Sequence, residues 1–248
     1  MTGDAAHHFR RKLEAGPRDV TRVSGIGNQQ MTRIKICGLR ETEHALTAAE
    51  AGVDFLGFVF ANSRRQVTPA RAKEIISVVR GSGLRIPRFV GVFVNEKPAT
   101  VNAVVRECGL DYAQLSGDEP WSYDRDIDVP AIKVIRVRDQ QSLSKELSEA
   151  VAELRRDPRY LVLLDSHVPG RFGGTGQTFD WAMAAKFSAQ MPILLAGGLH
   201  AGNVATAVNE ANPWGVDVSS GVETAGQKDP AKIRAFVEAV RSVESWKK

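Results

Sequence analysis

Cysteine is scarce: Cys37 and Cys108 are the only two in 248 residues. That is too few for a disulfide framework, and it points to a reducing, cytoplasmic setting. Long apolar runs are missing as well. No stretch approaches the roughly 18 residues that span a bilayer, so no membrane association is expected. There is no Lys/Arg-rich block and no zinc-ligand spacing, and the net charge of +4 is mild. Nucleic-acid binding is therefore not expected, whereas a weakly basic surface suits a small anionic substrate. The start of the chain lacks both apolar periodicity and the apolar core of a secretory signal. Residues 1–31 read as a disordered extension ahead of a single domain over 32–248.

From Arg33 onward a rhythm is present. Short apolar or β-branched runs recur at Ile34–Cys37, Phe55–Phe60, Phe89–Val94, Tyr112–Leu115, Ala131–Val137, Tyr160–Asp165, Ile193–Ala196 and Val216–Ser219. Each is too short for a buried helix and fits a buried strand. Segments with helical spacing lie between them, at Glu43–Ala51, Ala70–Val79, Ala99–Glu107, Leu143–Leu154, Val204–Ala211 and Ala231–Val240. Pro69, Pro98 and Pro230 stand at helix starts, where a missing N–H costs little. Alternating strands and helices imply parallel pairing, and eight units imply a single α/β domain closed as a (β/α)8 TIM barrel. A doubly wound open sheet is the alternative. It calls for a glycine-rich fingerprint after the first strand, and "CGLRETEHA" is not one.

A barrel puts its chemistry at the C-terminal ends of its strands. Cys37 ends strand one. Asp165 ends strand six after the apolar run "YLVLL", a place where a carboxylate is hard to explain as core. One thiol and one carboxyl at the same mouth suit a reaction that needs a base and an acid. Cys108, within "VVRECGL", reads as a structural helix residue. Gly197 and Gly198 follow strand seven, and Ser220 and Gly221 follow strand eight. Those two loops form the usual phosphate site of this fold, where glycine lets backbone N–H groups approach an anion. "GRFGGTGQTFDW" is not a P-loop, because Gln177 replaces the lysine and Arg171 the first glycine. It reads as a mobile loop over the mouth, with His167 solvated within it and a helix start at Thr178–Asp180.

In order along the chain stand "KICG", "GFVF", "SRRQVTP", "VGVFVN", "QLSGDE", "LLDS", "GGTGQTFDW", "LAGGL" and "GVDVSSGVE". Together, across residues 33–243, they resemble the phosphoribosylanthranilate isomerases of tryptophan biosynthesis. The resemblance implies an aldose–ketose isomerase that carries out an Amadori rearrangement of N-(5′-phosphoribosyl)anthranilate. It makes Asp165 the general acid that opens the ribose ring and Cys37 the general base that takes the C2′ proton. It implies no cofactor and no metal, because the protonated imine is itself the electron sink. Arg65 corresponds to the arginine that steers the anthranilate carboxylate, with Arg64 as the alternative. Three positions depart from the family pattern: Ser116 where His is frequent, Arg64 where Pro is, and Gln66 where an aromatic is. The partner is a phosphorylated small molecule, and either a monomer or a homodimer is compatible.

Three rival readings are weaker. A histidine-pathway isomerase expects an acid in place of Cys37. An indole-3-glycerol-phosphate synthase needs a catalytic lysine at a strand end, for which Lys133 is an imperfect stand-in. A non-catalytic phosphate-binding barrel leaves Cys37 and Asp165 without a purpose. Strand alternation adds one further expectation. If Cys37 points into the mouth, Lys35 also points inward, one layer deeper, and Asp217 on strand eight is placed to pair with it.

Overall fold

The computed structural model describes residues 31–137, 140–156, 160–166 and 181–245. Eight parallel strands close into a barrel in sequence order, β1 pairing with β8. They are β1 (Arg33–Cys37), β2 (Phe55–Val59), β3 (Arg88–Phe93), β4 (Tyr112–Leu115), β5 (Ala131–Val137), β6 (Leu161–Ser166), β7 (Ile193–Leu195) and β8 (Gly215–Val218). Every strand lies within a residue of the run that announced it. The expectations for residues 1–30, for His167 and for the segment through Asp180 fall outside the described residues.

Among the described residues seven helices pack around the barrel: α1 (Thr42–Glu50), α2 (Pro69–Gly81), α3 (Pro98–Cys108), α4 (Gln140–Arg156), α5 (Trp181–Ser188), α6 (Val204–Ala211) and α7 (Pro230–Ser245). The connection from β4 to β5 holds only a 3₁₀ segment, Trp121–Asp126. Pro69 and Pro98 open α2 and α3 at the first helical turn, and the Thr68 side chain caps α2 by accepting from the Arg71 N–H. None of the described helices is long and apolar enough to cross a membrane.

The period of two splits each strand between two cores. Outward side chains such as Ile34, Leu56, Phe58 and Ile135 join the core beneath the helices. Inward side chains such as Phe55, Val90, Tyr112, Ile132 and Leu194 fill the barrel itself. Nearer the mouth a small group of Cys37, Val59 and Val92 continues that inner column.

After β8 the chain makes a short 3₁₀ turn over Ser220–Val222 and then a two-strand hairpin, β9 (Glu223–Thr224) with β10 (Gln227–Lys228). Its turn residues Ala225 and Gly226 both have positive φ, 50° and 78°. That backbone matches strand twist but is ordinarily signalled by Asn-Gly or Asp-Gly, so "ETAGQK" did not announce it. The hairpin sets Lys228 directly opposite Glu223.

Candidate active site

The mouth is built from strand ends. Cys37 ends β1 and is buried. It is held from both sides: Gly38 N–H and Leu39 N–H donate to the Gly57 carbonyl of β2, and the Ser219 hydroxyl donates to the Cys37 carbonyl at 3.1 Å. Gly57 is what makes room. A Cβ there would stand 3.1 Å from the Cys37 Sγ and 3.2 Å from the Lys35 Nζ.

Lys35 lies one layer below Cys37 and is fully buried. Its ammonium donates to Asp217 at 2.9 Å, from a residue in direct register across the β1–β8 pair. The expected pair is therefore present, and an outward-pointing Lys35 is ruled out. Burial alone pulls a lysine down. Here Asp217 and Cys37 outweigh it and raise the Lys35 pKa above its usual value, so the cation persists at neutral pH.

The thiol shows the opposite balance. Burial pushes the Cys37 pKa up; Lys35 pulls it down, Asp217 pushes it up again and Lys228 pulls it down, leaving a net rise. The nearby cations by themselves favour the thiolate, and desolvation overrides them. Asp165, at the end of β6, is pushed up to about 6, by burial first and by Asp217 second, against Arg136 and Lys35. That keeps about a tenth of it protonated at pH 7, far more than an ordinary carboxyl, and a general acid needs that protonated form. Cys108 sits buried on α3 with a pKa near 11, from burial and then from Glu107, which makes it inert.

Arg65 reaches the mouth along the loop after β2. Its Cδ passes 2.5 Å from where a Gly38 Cβ would be, and Gly38 itself has φ of 80°. Only glycine leaves that path open beside Cys37. The guanidinium meets Glu223 through Nε at 2.6 Å and Nη2 at 3.0 Å. Arg64 also meets Glu223, at 3.0 Å, but its side chain is 62% exposed against 20% for Arg65. Of the two, Arg65 is the one seated in the mouth.

Glu223 is a site residue that the sequence reading missed. Burial raises its carboxyl, but the bonds from Arg65 and Lys228 bring it below the usual carboxylate range. Lys228 was missed too. It is buried, donates to Glu223 at 2.9 Å and to the Ser219 carbonyl at 2.8 Å, and burial lowers its pKa despite Glu223. A continuous polar chain thus runs from Cys37 through Ser219, Lys228 and Glu223 to Arg65. Arg136, also missed, projects from β5 with the inward parity of Ile132 and Val134 and donates to the Ser116 carbonyl.

The glycine loops divide into two roles. Gly197 and Gly198 have φ of 93° and 64°, and a Cβ on Gly198 would meet nothing within 4 Å. Its surroundings are open, and its N–H donates to no acceptor among the described residues. Asn203 fixes the loop by donating to the Gly198 carbonyl at 3.0 Å and accepting from the His200 N–H at 2.8 Å. Gly221 differs. A Cβ there would stand 1.9 Å from the Leu199 carbonyl oxygen, so this glycine is needed to pack the β8 loop onto the β7 loop. Ser220 opens the 3₁₀ turn that carries Gly221.

Lys133, the one lysine weighed for a lyase, turns out to be scaffold, together with its neighbour Glu119. Lys133 shares the outward parity of Ile135 and donates to the Glu119 carbonyl, so it cannot serve as an inward lyase lysine. Glu119 accepts from the Asn95 and Gly117 N–H groups at 2.7 and 2.9 Å, which ties the loops after β3 and β4 together. Among the described residues no group of three His, Cys, Asp or Glu side chains is placed to hold a metal ion.

Comparisons with known proteins show the family and agree with the fold. The family model described as N-(5'phosphoribosyl)anthranilate (PRA) isomerase matches residues 34–239. An N-(5'-phosphoribosyl)anthranilate isomerase from a Roseiflexus species is 46% identical over 217 residues, which are 86% of this chain and 99% of that one. The crystal structure of the Thermotoga maritima phosphoribosyl anthranilate isomerase superposes with a TM-score of 0.75 at 34% identity, covering 86% of this chain and all of that one. A further isomerase structure, solved with reduced 1-(o-carboxyphenylamino)-1-deoxyribulose 5-phosphate, gives a TM-score of 0.71 at 32% identity over the same shares. With a matching model along nearly the whole barrel and relatives this similar, the chain belongs to the N-(5'-phosphoribosyl)anthranilate isomerase family.

Proposed function

We propose that Cys37 and Asp165 are the base and the acid with which this isomerase converts N-(5′-phosphoribosyl)anthranilate to 1-(2-carboxyphenylamino)-1-deoxyribulose 5-phosphate. The observation that carries the assignment is the pair of protonation environments at one mouth. A carboxyl held up to about 6 stands at the end of β6, and a thiol flanked by two lysines stands at the end of β1.

The chemistry follows from those positions. Asp165 gives its proton to the ribose ring oxygen as the C1′–O bond breaks, and the anilino nitrogen lone pair forms the protonated imine. Cys37, as thiolate, then takes the C2′ proton, and the released electron pair moves through C1′ to the imine nitrogen. The resulting enolamine tautomerises to the ketose. The imine accepts the electrons, so the route needs no cofactor.

Binding roles follow in the same way. The phosphate sits against the loops after β7 and β8, at Gly197, Gly198, Ser220 and Gly221, where backbone N–H groups and the left-handed turn leave space for an anion. Arg65 takes the anthranilate carboxylate, since a guanidinium matches that planar group with two hydrogen bonds. A related isomerase was solved with a phosphorylated product analogue, which supports a substrate of this class. Residues 32–248 form the catalytic domain, with 1–31 as an extension. The two free cysteines support a cytoplasmic setting.

The test is turnover by the purified chain, followed as loss of substrate fluorescence. Conversion is expected, with competitive inhibition by inorganic phosphate. Arg65→Ala should raise KM for the carboxylate-bearing substrate and should matter less for an analogue without that carboxylate. Absence of turnover by the intact chain contradicts the assignment, and equal effects on both substrates remove Arg65 from its role.

A further inference from the structure

One charged pair at the mouth is not used by the acid–base chemistry. Lys35 and Asp217 meet at 2.9 Å, and Lys35 is fully buried. A buried ion pair is weak evidence for stability, because apolar side chains of similar volume commonly do as well. Its location suggests another purpose. Lys35 shares a strand face with Cys37, and its Nζ and the Cys37 Sγ converge on the same spot over Gly57, 3.2 and 3.1 Å from the missing Cβ. Around the ring the order is β1, β8, β7, β6. Asp217 on β8 therefore lies on the shorter arc between Cys37 and Asp165.

We propose that Lys35 and Asp217 are positioning residues that act as one fixed dipole on both catalytic groups, with the cationic end serving the thiolate of Cys37 and the anionic end serving the protonated carboxyl of Asp165. This rests on the assignment of those two groups as base and acid.

The charges that face each group support it. Cys37 is faced by Lys35 on its own strand, by Asp217 from β8 and by Lys228 from β10, and Lys35 acts on it more strongly than Asp217 does. Asp165 is faced by Asp217 from β8, Arg136 from β5 and Lys35 from β1, and here Asp217 acts more strongly than Lys35. A lone cation would help the base and spoil the acid. A lone anion would do the reverse. Only the pair, in this order, favours both. The reaction needs an ionised thiol and a neutral carboxyl together, although each group alone would favour the other state. The fraction of enzyme in the working state falls about tenfold for each pKa unit by which the thiol rises or the carboxyl drops.

The test titrates both groups without relying on turnover. In a Cys108→Ser background, Cys37 is read from the pH dependence of iodoacetamide alkylation. Asp165 is read from ¹³C carboxyl NMR, with Asp165→Asn to assign the signal. In Lys35→Met/Asp217→Asn the Cys37 midpoint should rise and the Asp165 midpoint should fall. A shift of about one unit in each corresponds to a drop in kcat/KM at neutral pH of about a hundredfold. Lys35→Met alone should raise both midpoints and Asp217→Asn alone should lower both, while Lys35→Arg should restore the parent Cys37 value. A merely structural pair would change the melting temperature without this pattern of signs. Unchanged midpoints in the double variant overturn the proposal, and so does a double variant that cannot fold. Turnover surviving in Cys37→Ser or Asp165→Asn would instead overturn the catalytic assignment and leave the two titrations to be judged separately.

Discussion

The lower and upper layers of the barrel interior are made by the same strands and obey different rules. In the lower layer Phe55, Val90, Tyr112, Ile132 and Leu194 pack against one another. Toward the mouth the inward positions include Lys35, Cys37, Gln114, Arg136, Asp165 and Asp217. Gln114 is buried there, and its Oε1 has no hydrogen-bond partner among the described residues. The lower layer does what burial of apolar area does: it stabilises, with about 25 cal/mol for each Å² removed from water. The upper layer carries desolvated charge, which costs stability and shifts protonation. The contrast shows where this chain has placed its stability and where it has placed its chemistry.

The largest expected break in that contrast is in the lower layer. Leu194→Ala should cost about 2–5 kcal/mol of stability through lost transfer energy and a cavity, measured by denaturant unfolding. The kcat of the molecules still folded should stay near that of the parent. A large fall in kcat at unchanged stability would show that the two layers are not separable.

The mouth should show the reverse sign. Asp165 is held near 6 against an ordinary value of 3.8. Between those values the folded chain holds a proton that the unfolded chain has lost. Stability attributable to this group therefore falls as pH rises from about 4 to about 6, then levels off. Asp165→Asn should be more stable than the parent at pH 7, by about 1–3 kcal/mol, with the gap closing toward pH 4. Thermal melts across that range check it, and a variant less stable than the parent at pH 7 would contradict the burial argument.

A smaller effect should appear at the boundary between the layers. Gly57→Ala places a methyl about 3 Å from both Sγ and Nζ, tight enough to displace one of them. We expect kcat to fall several-fold with a stability change of about 1 kcal/mol or less. The smallest effect belongs to Gly198→Ala. Its left-handed φ strains an alanine by about 1 kcal/mol, while the open space around it removes any clash. KM should rise modestly and kcat should hold.

How much of this was legible depended on whether the signal was local. Strand runs are local, so all eight appeared, and Cys37 and Asp165 stood out as polar groups ending apolar runs. Two-residue periodicity was enough to turn Lys35 inward and to pair it with Asp217. Arg136 could have been found by the same parity, counting from Ile132, but "AIKVIRV" was read as a strand without assigning its faces. Glu223 and Lys228 could not be read this way. Their meeting depends on a hairpin whose turn, Ala225-Gly226, carries a weak signature, and on a fold that returns residue 223 to residue 65. The direction of the Cys37 shift was also hidden, because desolvation depends on packing and only the charges are visible in the sequence.

The most direct test of the account is the turnover of Cys37→Ser and Asp165→Asn, measured beside thermal melts of the same preparations. Each substitution keeps the shape of the side chain and removes its proton chemistry. The account predicts a loss of kcat of about 10²–10⁴-fold in each, with both variants folded and Asp165→Asn melting above the parent at pH 7. Near-parent turnover in either folded variant would contradict it.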